Sequence, residues 1–274
     1  MSGEARQAVQ AVLVRELLTV ARSRAYLGLV AGVSLVAAGV LAAGGGVEVG
    51  YVPAAIDLLL PFELLVPAVA VALGYRTITD DADRGELDVL ETYPVPPWAY
   101  VVGVYAGRAI AMVGALGVPL ALAGLYLSTQ SPPDPTTLAT HSGVDSPVLF
   151  VRFVGLTLLY GLVALALALA VSALAWSRRT AIVLAILLLG SVAIGIDLLV
   201  LRGFGAGWVA DQQLTTALAA SPASAYRGLV FETVLYVAFD SESGYAAPAA
   251  SVAGLLAWLV AGLGLTVAGV TRRN

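Results

Sequence analysis

Six stretches of nearly unbroken apolar sequence govern what this chain can fold into: residues 25–43, 54–75, 101–127, 151–176, 181–201 and 249–270. The hydrocarbon core of a bilayer, about 30 Å thick, is crossed by about 20 apolar residues in a helix, and only helices or closed barrels leave no backbone group unpaired in lipid. Runs of this length are too long for barrel strands. The expected fold is therefore an all-α membrane protein, a single domain of residues 1–274 with six transmembrane helices. Charge agrees with this: only 12% of the residues are charged, and they sit in short islands between the apolar runs.

An even number of spans puts both termini on one side, and the arginines say which. Arg6, Arg15, Arg22, Arg24, Arg76, Arg84, Arg178, Arg179, Arg272 and Arg273 fall on one face of the six-span arrangement, whereas only Arg152, Arg202 and Arg227 fall on the other. Cytoplasmic loops retain positive charge, so the termini are expected in the cytoplasm of a multi-pass cell-membrane protein. The first run follows an arginine-bearing leader and has no small-residue cleavage site after a short apolar core, so it is expected to remain in the mature protein. Within that leader Val9, Leu13, Leu17 and Val20 recur at helical spacing, with Arg15, Thr19 and Arg22 nearly opposite, which predicts an interfacial helix lying along the membrane. The "SRRT" connection at 177–180 predicts an antiparallel fourth and fifth span. Between the fifth and sixth spans, "SPASAYRGLVFETVLYVAF" is too polar in its middle for a seventh span, and a re-entrant or interfacial pair of helices broken at Pro222 is expected.

Missing residue types exclude much chemistry. There is no cysteine, one histidine (His141), and every basic residue is arginine. A phosphate-cradling P-loop needs its lysine, so this chain is not expected to bind ATP by that device. Zinc clusters, Cys-His dyads and Ser-Lys dyads fail for want of residues, and no metal site is expected. His141, Met1 and Met112 are the only soft or imidazole ligands, which disfavours direct copper ligation.

Two features ask for a function. On the predicted cytoplasmic side, "DRGELDVLETYPVPPWAYVVGVYAGR" places Asp80, Asp81, Asp83, Glu86, Asp88 and Glu91 against Arg84 alone, where topology would prefer cations. Gly85 can break the outgoing helix, Leu87, Val89 and Leu90 give a short helix apolar contacts, and Pro94, Pro96 and Pro97 end it. A short helix held below the membrane between two spans is shaped as a lever for a cytosolic partner. Inside the spans stand Glu63, Arg108 and Asp197. Ionisable groups at this depth line pathways or pair internally. Glu63 lies deepest, between Pro61 and Pro67, whose rings can kink the helix and free carbonyls. Asp197 is expected near the outer interface, and Arg108 can snorkel to the inner one. Gly28-x3-Gly32 and Gly103-x3-Gly107 permit close helix packing.

The sequence "DRGELDVLETYPVPPW" followed by "GVYAGR" resembles the coupling region of the ABC-2 type exporter permeases, whose pattern runs approximately E-R-x-x-G-T-L-E-L-L-L-S-x-P-V-S-R and then G-K-x-x-G-R. Arg84, Gly85, Leu87, Asp88, Leu90, Thr92, Pro94 and Val95 fall on its positions, as do Gly103, Gly107 and Arg108. Glu86 replaces the usual threonine, and "PPW" replaces the Ser-Arg. "LAASPASAYRG" is similar to the "LNPxxAFR" segment of the branch that includes the nitrous-oxide-reductase maturation permeases, through Pro222, Ala225, Tyr226 and Arg227, which that resemblance places at an outer gate. It implies a non-catalytic permease subunit of an ATP-binding cassette exporter, paired with a second permease copy and with separate ATPase subunits that bind ATP and magnesium. Residues 84–94, Glu91 included, would form the coupling helix. Nucleic acid has no place in this reading; membrane lipid does.

Other classes make different demands. An ion-coupled secondary transporter would use Glu63 and Asp197 and is marked by inverted repeats, which are not evident. An aspartyl protease built on Asp57 and Asp197 lacks the glycine expected before the second aspartate. A structural anchor subunit would need none of the polar residues named. The cysteine-free background makes the topology testable: single cysteines at Ser131, Ser142 and Ser241 are expected to react with a membrane-impermeant thiol reagent in intact cells, whereas those at Ser2, Ser177 and Thr271 are not. Labelling at Thr271 with Ser2 protected would mean an odd number of spans.

Overall fold

The computed structural model describes residues 3–86, 95–130, 145–208, 210, 213–236 and 246–273. Among the described residues there is no strand, and six helices are long and apolar enough to cross a membrane: 24–44, 51–83, 97–129, 147–174, 178–205 and 248–271. They coincide with the six apolar runs. Each is longer than its run because polar end residues continue the helix beyond the apolar stretch.

In chain order, α1 is Gly3–Ala21, α2 (first span) Arg24–Gly44, α3 (second span) Tyr51–Gly74, and α4 Thr77–Asp83, a short continuation of the second span after a turn at Tyr75 and Arg76. The third and fourth spans are α5 (Pro97–Thr129) and α6 (Pro147–Leu174). The fifth is divided into α7 (Arg178–Gly190), a π-helical turn at Ser191–Gly195, and α8 (Ile196–Gly205). Two short helices follow, α9 (Leu214–Leu218) and α10 (Pro222–Val230), and then the sixth span, α11 (Pro248–Thr271). The start signals are local. Ser23, Ser146, Ser177 and Ser221 are N-caps whose hydroxyls accept a backbone N–H of the first turn, and proline, which lacks the N–H that a first turn leaves unpaired, begins α5, α6, α10 and α11.

Helix α6 is the centre of the bundle. Its alternating "ALALALA" buries almost every residue from Tyr160 to Ala173, because α3, α5 and α11 all pack on it. Small residues set the approach: a side-chain carbon on Gly262 would lie 2.9 Å from the Ala166 backbone, and one on Gly269 would lie 2.8 Å from Ala173 Cβ. With no hydrophobic drive between helices in lipid, such close backbone contact supplies the dispersion energy that joins them. The end of α6 is closed by the C-terminal tail: Arg273 Nε donates to the Ala173 carbonyl (3.1 Å) and Nη2 to those of Ser172 (3.3 Å) and Ala175. These are carbonyls left unpaired at a helix end, where a cation also meets the negative end of the dipole. Burial lowers the Arg273 pKa against the opposing pull of Asp83, so these bonds compensate a real desolvation.

Several expectations are altered. Helix α1 exists, but its buried line is Ala5, Val12, Glu16 and Val20, with Val9, Leu13 and Leu17 only half-buried, because the helix packs directly on α5 instead of resting on lipid with an all-apolar face. The docking seat is the Gly103-x3-Gly107 pair: a Cβ on Gly103 would stand 2.7 Å from Val12 Cβ, and one on Gly107 would collide with Glu16 Cβ. The pair at Gly28 and Gly32 meets nothing within 4 Å. The second span is interrupted at Tyr75 and Arg76 and continues as α4 to Asp83, and Gly85 ends it, as expected, with a left-handed φ of 71°. The fifth span lies toward the bundle's outside, with 11% of its apolar window buried.

Gly107→Val should therefore lift α1 from the bundle while leaving the six spans inserted. The expected result is faster proteolysis between α1 and the first span in the variant, with membrane yield near that of the parent.

Candidate functional site

Most of the ion-paired residues of the bundle gather in two clusters, one around Asp81 where the second span ends and one around Glu63 in its middle. At the predicted cytoplasmic end Glu16 is buried at 3% exposure, an expensive position for a carboxylate unless it is paired. Arg108 Nε donates to its Oε2 (2.7 Å) and Arg15 Nη2 to its Oε1 (2.8 Å). The same Arg15 nitrogen donates to Asp81 Oδ2 (2.7 Å), the buried acid of α4, which also accepts from the Tyr100 hydroxyl at 2.7 Å. Arg15 Nη1 reaches Glu86, whose other oxygen stands 3.6 Å from Arg84. Burial by itself would make the Arg15 guanidinium easier to deprotonate, but the charges and hydrogen bonds of Asp81 and Glu16 outweigh that and raise its pKa.

These contacts join three elements that are distant in sequence: α1, the start of α5, and the segment leading into residues 87–94. Helix α4 is fixed from its other side by Ser172 of α6, whose hydroxyl accepts the N–H groups of Ile78 (2.9 Å) and Thr79 (3.1 Å). Asp80 meets Arg76 (3.1 Å) and Arg178 (3.8 Å), and Asp83 meets Arg178 at 3.5 Å. Arg84 is therefore not the sole cation facing the acidic stretch. Four of its acids, Asp80, Asp81, Asp83 and Glu86, meet arginines of this chain, which corrects the expectation that the stretch is an unbalanced acidic surface. Arg84 and Gly85 complete the turn after α4; Leu87, Asp88, Leu90, Glu91 and Pro94 lie outside the described residues.

The second cluster begins with a proline. Pro67 has no N–H for the carbonyl four residues earlier, which is that of Glu63, and the Tyr160 hydroxyl of α6 donates to this carbonyl instead (3.3 Å). Tyr160 stacks on Tyr226 of α10, with ring centroids 4.8 Å apart and planes at 6°. The Thr157 hydroxyl spends its proton on the Phe153 carbonyl (2.8 Å), so the Tyr226 hydroxyl, 2.8 Å away, is the donor between the two. One residue further along α10, Arg227 Nη2 stands 2.9 Å from Asp197 Oδ2, 3.4 Å from Glu63 Oε1 and 3.1 Å from Ser224 Oγ. Glu63, Asp197 and Arg227, read from the sequence as separate features, thus form one triad. Asp197 pairs with Arg227, and Arg108 is held by Glu16. A cavity of about 250 Å³ beside the triad is lined by Asp197, Thr215, Ser224, Arg227 and Ser251.

The depth of α10 follows from its neighbours. Thr157 and Trp258 each lie ten residues beyond the first residues of their helices, about 15 Å along the axis at about 1.5 Å per residue. Trp258 Nε1 donates to the Ala220 carbonyl (2.8 Å), and Gly254 has no side chain because a Cβ there would strike the Ala219 carbonyl. The turn between α9 and α10 therefore sits among the spans, not on their ends. Pro222 starts α10 behind the Ser221 cap at this depth. Among the described residues, no three His, Asp or Glu side chains come together in a way that could hold a metal ion.

Arg15 and Glu16 were missed in the sequence because adjacent charges on an amphipathic helix read as its polar face. The available signal was Glu16, which falls in line with Ala5, Val12 and Val20 on the buried stripe.

Comparison with known proteins agrees with this architecture. A family described as ABC-2 family transporter protein matches residues 5–273. The chain is similar to a probable ABC transporter permease protein NosY from Pseudomonas aeruginosa, with 31% identity over 144 residues. That similarity spans about half of each protein, 51% of this chain and 49% of the relative.

Asp81→Ala would leave the Tyr100 hydroxyl buried without an acceptor and Arg15 short of one partner. Because Arg15 is partly open to water, the expected loss is about 2 kcal/mol, below the 3–5 kcal/mol of a fully buried pair. It should appear as a lowered thermal midpoint of the purified protein in detergent.

Proposed function

This chain belongs to the ABC-2 family of transporter proteins, and from that premise we propose that it is the non-catalytic membrane subunit of an ATP-driven exporter, coupled to separate ATPase subunits and paired with a second permease copy. The observation that carries the reading is the cytoplasmic ion cluster. Glu86, the last described residue before 87–94, is tied through Arg15 to Asp81 and Glu16, and through Glu16 to Arg108 of the third span. A force on the coupling segment would then reach α1 and the third span together.

In this account residues 84–94 form the coupling helix that docks on an ATPase. Leu87 and Leu90 supply apolar contact, and Asp88 and Glu91 are the acids left for basic groups on the partner. ATP and magnesium bind the partner, both termini are cytoplasmic, and the protein sits in the cell membrane among its lipids. At the far side, α9 and α10 act as a re-entrant outer gate. The position of this segment supports that assignment, because the 219–221 turn lies against Gly254, about 9 Å from the start of α11, and Tyr226 against Thr157, about 15 Å from the start of α6, where backbone groups are tolerated only inside protein. ATP-driven closure of the motor would shift the cluster, and α3, which bears Glu63 and continues into α4 with Asp81, would carry the movement to the triad under the gate.

Leu87→Asp places a charge in the proposed contact and leaves the spans untouched. The expected outcome is normal membrane insertion with at least tenfold less ATPase co-purified, or, if the complex forms, loss of substrate-stimulated hydrolysis in vesicles. A variant that assembles and transports like the parent would show that residues 84–94 are not the lever.

A further inference from the structure

The outer triad contains more acid than base. Glu63 and Asp197 share the single guanidinium of Arg227, and among the described residues no other arginine lies within ion-pair distance of either carboxylate. The Glu63 side chain is only 6% exposed. Fully ionised, the group would carry one uncompensated negative charge in a water-poor site, an arrangement that proteins avoid by neutralising a group.

The oxygen atoms give a second, independent indication. Glu63 Oε2 and Asp197 Oδ1 are both buried and neither has a hydrogen-bond partner. An ionised carboxylate enclosed without a donor on one oxygen is costly, and a proton on Glu63 removes the charge that makes it so. The neighbouring polar groups are neutral and do not change the charge count: the Tyr160 hydroxyl donates to the Glu63 backbone carbonyl, the Tyr226 hydroxyl to Thr157, and the Ser224 oxygen accepts from Arg227. Arg152, another cation on this side, bonds the Thr233 carbonyl, and the Glu232 carboxylate accepts the Ala246 N–H.

Distance decides between the two acids. Arg227 Nη2 makes a 2.9 Å charge-assisted hydrogen bond to Asp197, whereas its 3.4 Å approach to Glu63 is an ion-pair contact without a hydrogen bond. Asp197 is also the more exposed of the two and borders the polar cavity. We propose that the triad is a proton-binding site: in this conformation Glu63 holds one proton while Asp197 alone neutralises Arg227.

Burial holds the proton on Glu63, and opening Glu63 to water releases it; withdrawal of Arg227 acts the other way, because losing the cation strengthens proton binding to both acids. This goes beyond the coupling reading and does not need it, since the proton site is defined by the triad alone.

The test is infrared spectroscopy of the full chain in lipid vesicles at neutral pH, with ¹³C-carboxyl glutamate or ¹³C-carboxyl aspartate incorporated. The proposal expects a protonated-carboxyl C=O band that moves with the glutamate label, stays with the aspartate label, and disappears in Glu63→Gln. If that variant does not accumulate, Glu63→Asp is measured instead, where the band should transfer from the glutamate label to the aspartate label. Absence of the band in the parent, its movement with the aspartate label, or its persistence on the glutamate label in either variant would overturn the assignment.

Discussion

A charge inside a bilayer must find its opposite within the protein, and this rule organises everything polar in the molecule. Desolvating a carboxylate or guanidinium costs several kcal/mol even after relaxation, so each buried acid is met by an arginine. With no lysine in the chain, that task falls wholly to the planar guanidinium, whose several donors let one side chain serve several acceptors. Arg15 bridges Glu16, Asp81 and Glu86; Arg227 bridges Asp197 and Glu63. The remainder of the fold is apolar packing that holds these two arginines where they are needed.

Both clusters are anchored on one piece of chain. Glu63 and Asp81 belong to the second span and its α4 continuation, roughly 25 Å apart along a helix rising about 1.5 Å per residue. Between them α3 packs on the central α6, which also supplies Tyr160 to the outer cluster and Ser172 to the inner one. A rigid pair of helices gripping two polar clusters can transmit a displacement, since a close-packed interior shifts as a unit instead of yielding locally. The fifth span, interrupted by a π turn and little buried, lies outside that pair and is tied to α10 through Asp197 and Arg227.

How much of this was legible in advance depended on which property encoded it. The six spans could be read directly, because hydropathy over twenty residues is a local signal and the bilayer admits no alternative to a helix. The break at Pro222 and the polar outer segment were visible for the same reason, through the missing N–H and the serine before it. Glu63, Asp197 and Arg227 each stood out as costly or motif-bearing, yet their meeting did not, because partners 30 or more residues apart are chosen by tertiary packing. The inner cluster was less legible still. Arg15 and Glu16 resembled surface charges on an amphipathic helix, and only the glycine pair at 103 and 107 hinted that another backbone would approach there.

The central claim is that movement at the cytoplasmic cluster is delivered to the outer helix. The most direct test is a pulsed electron spin resonance distance measurement in the naturally cysteine-free chain, with spin labels on Thr215 and Val252, in complex with its ATPase and with and without trapped nucleotide. The account predicts that nucleotide shifts the distance in the parent and that the shift is lost in Arg15→Gln while the nucleotide-free distance is kept. An equal shift in Arg15→Gln would contradict it, because the outer helix would then be moving without the ion cluster.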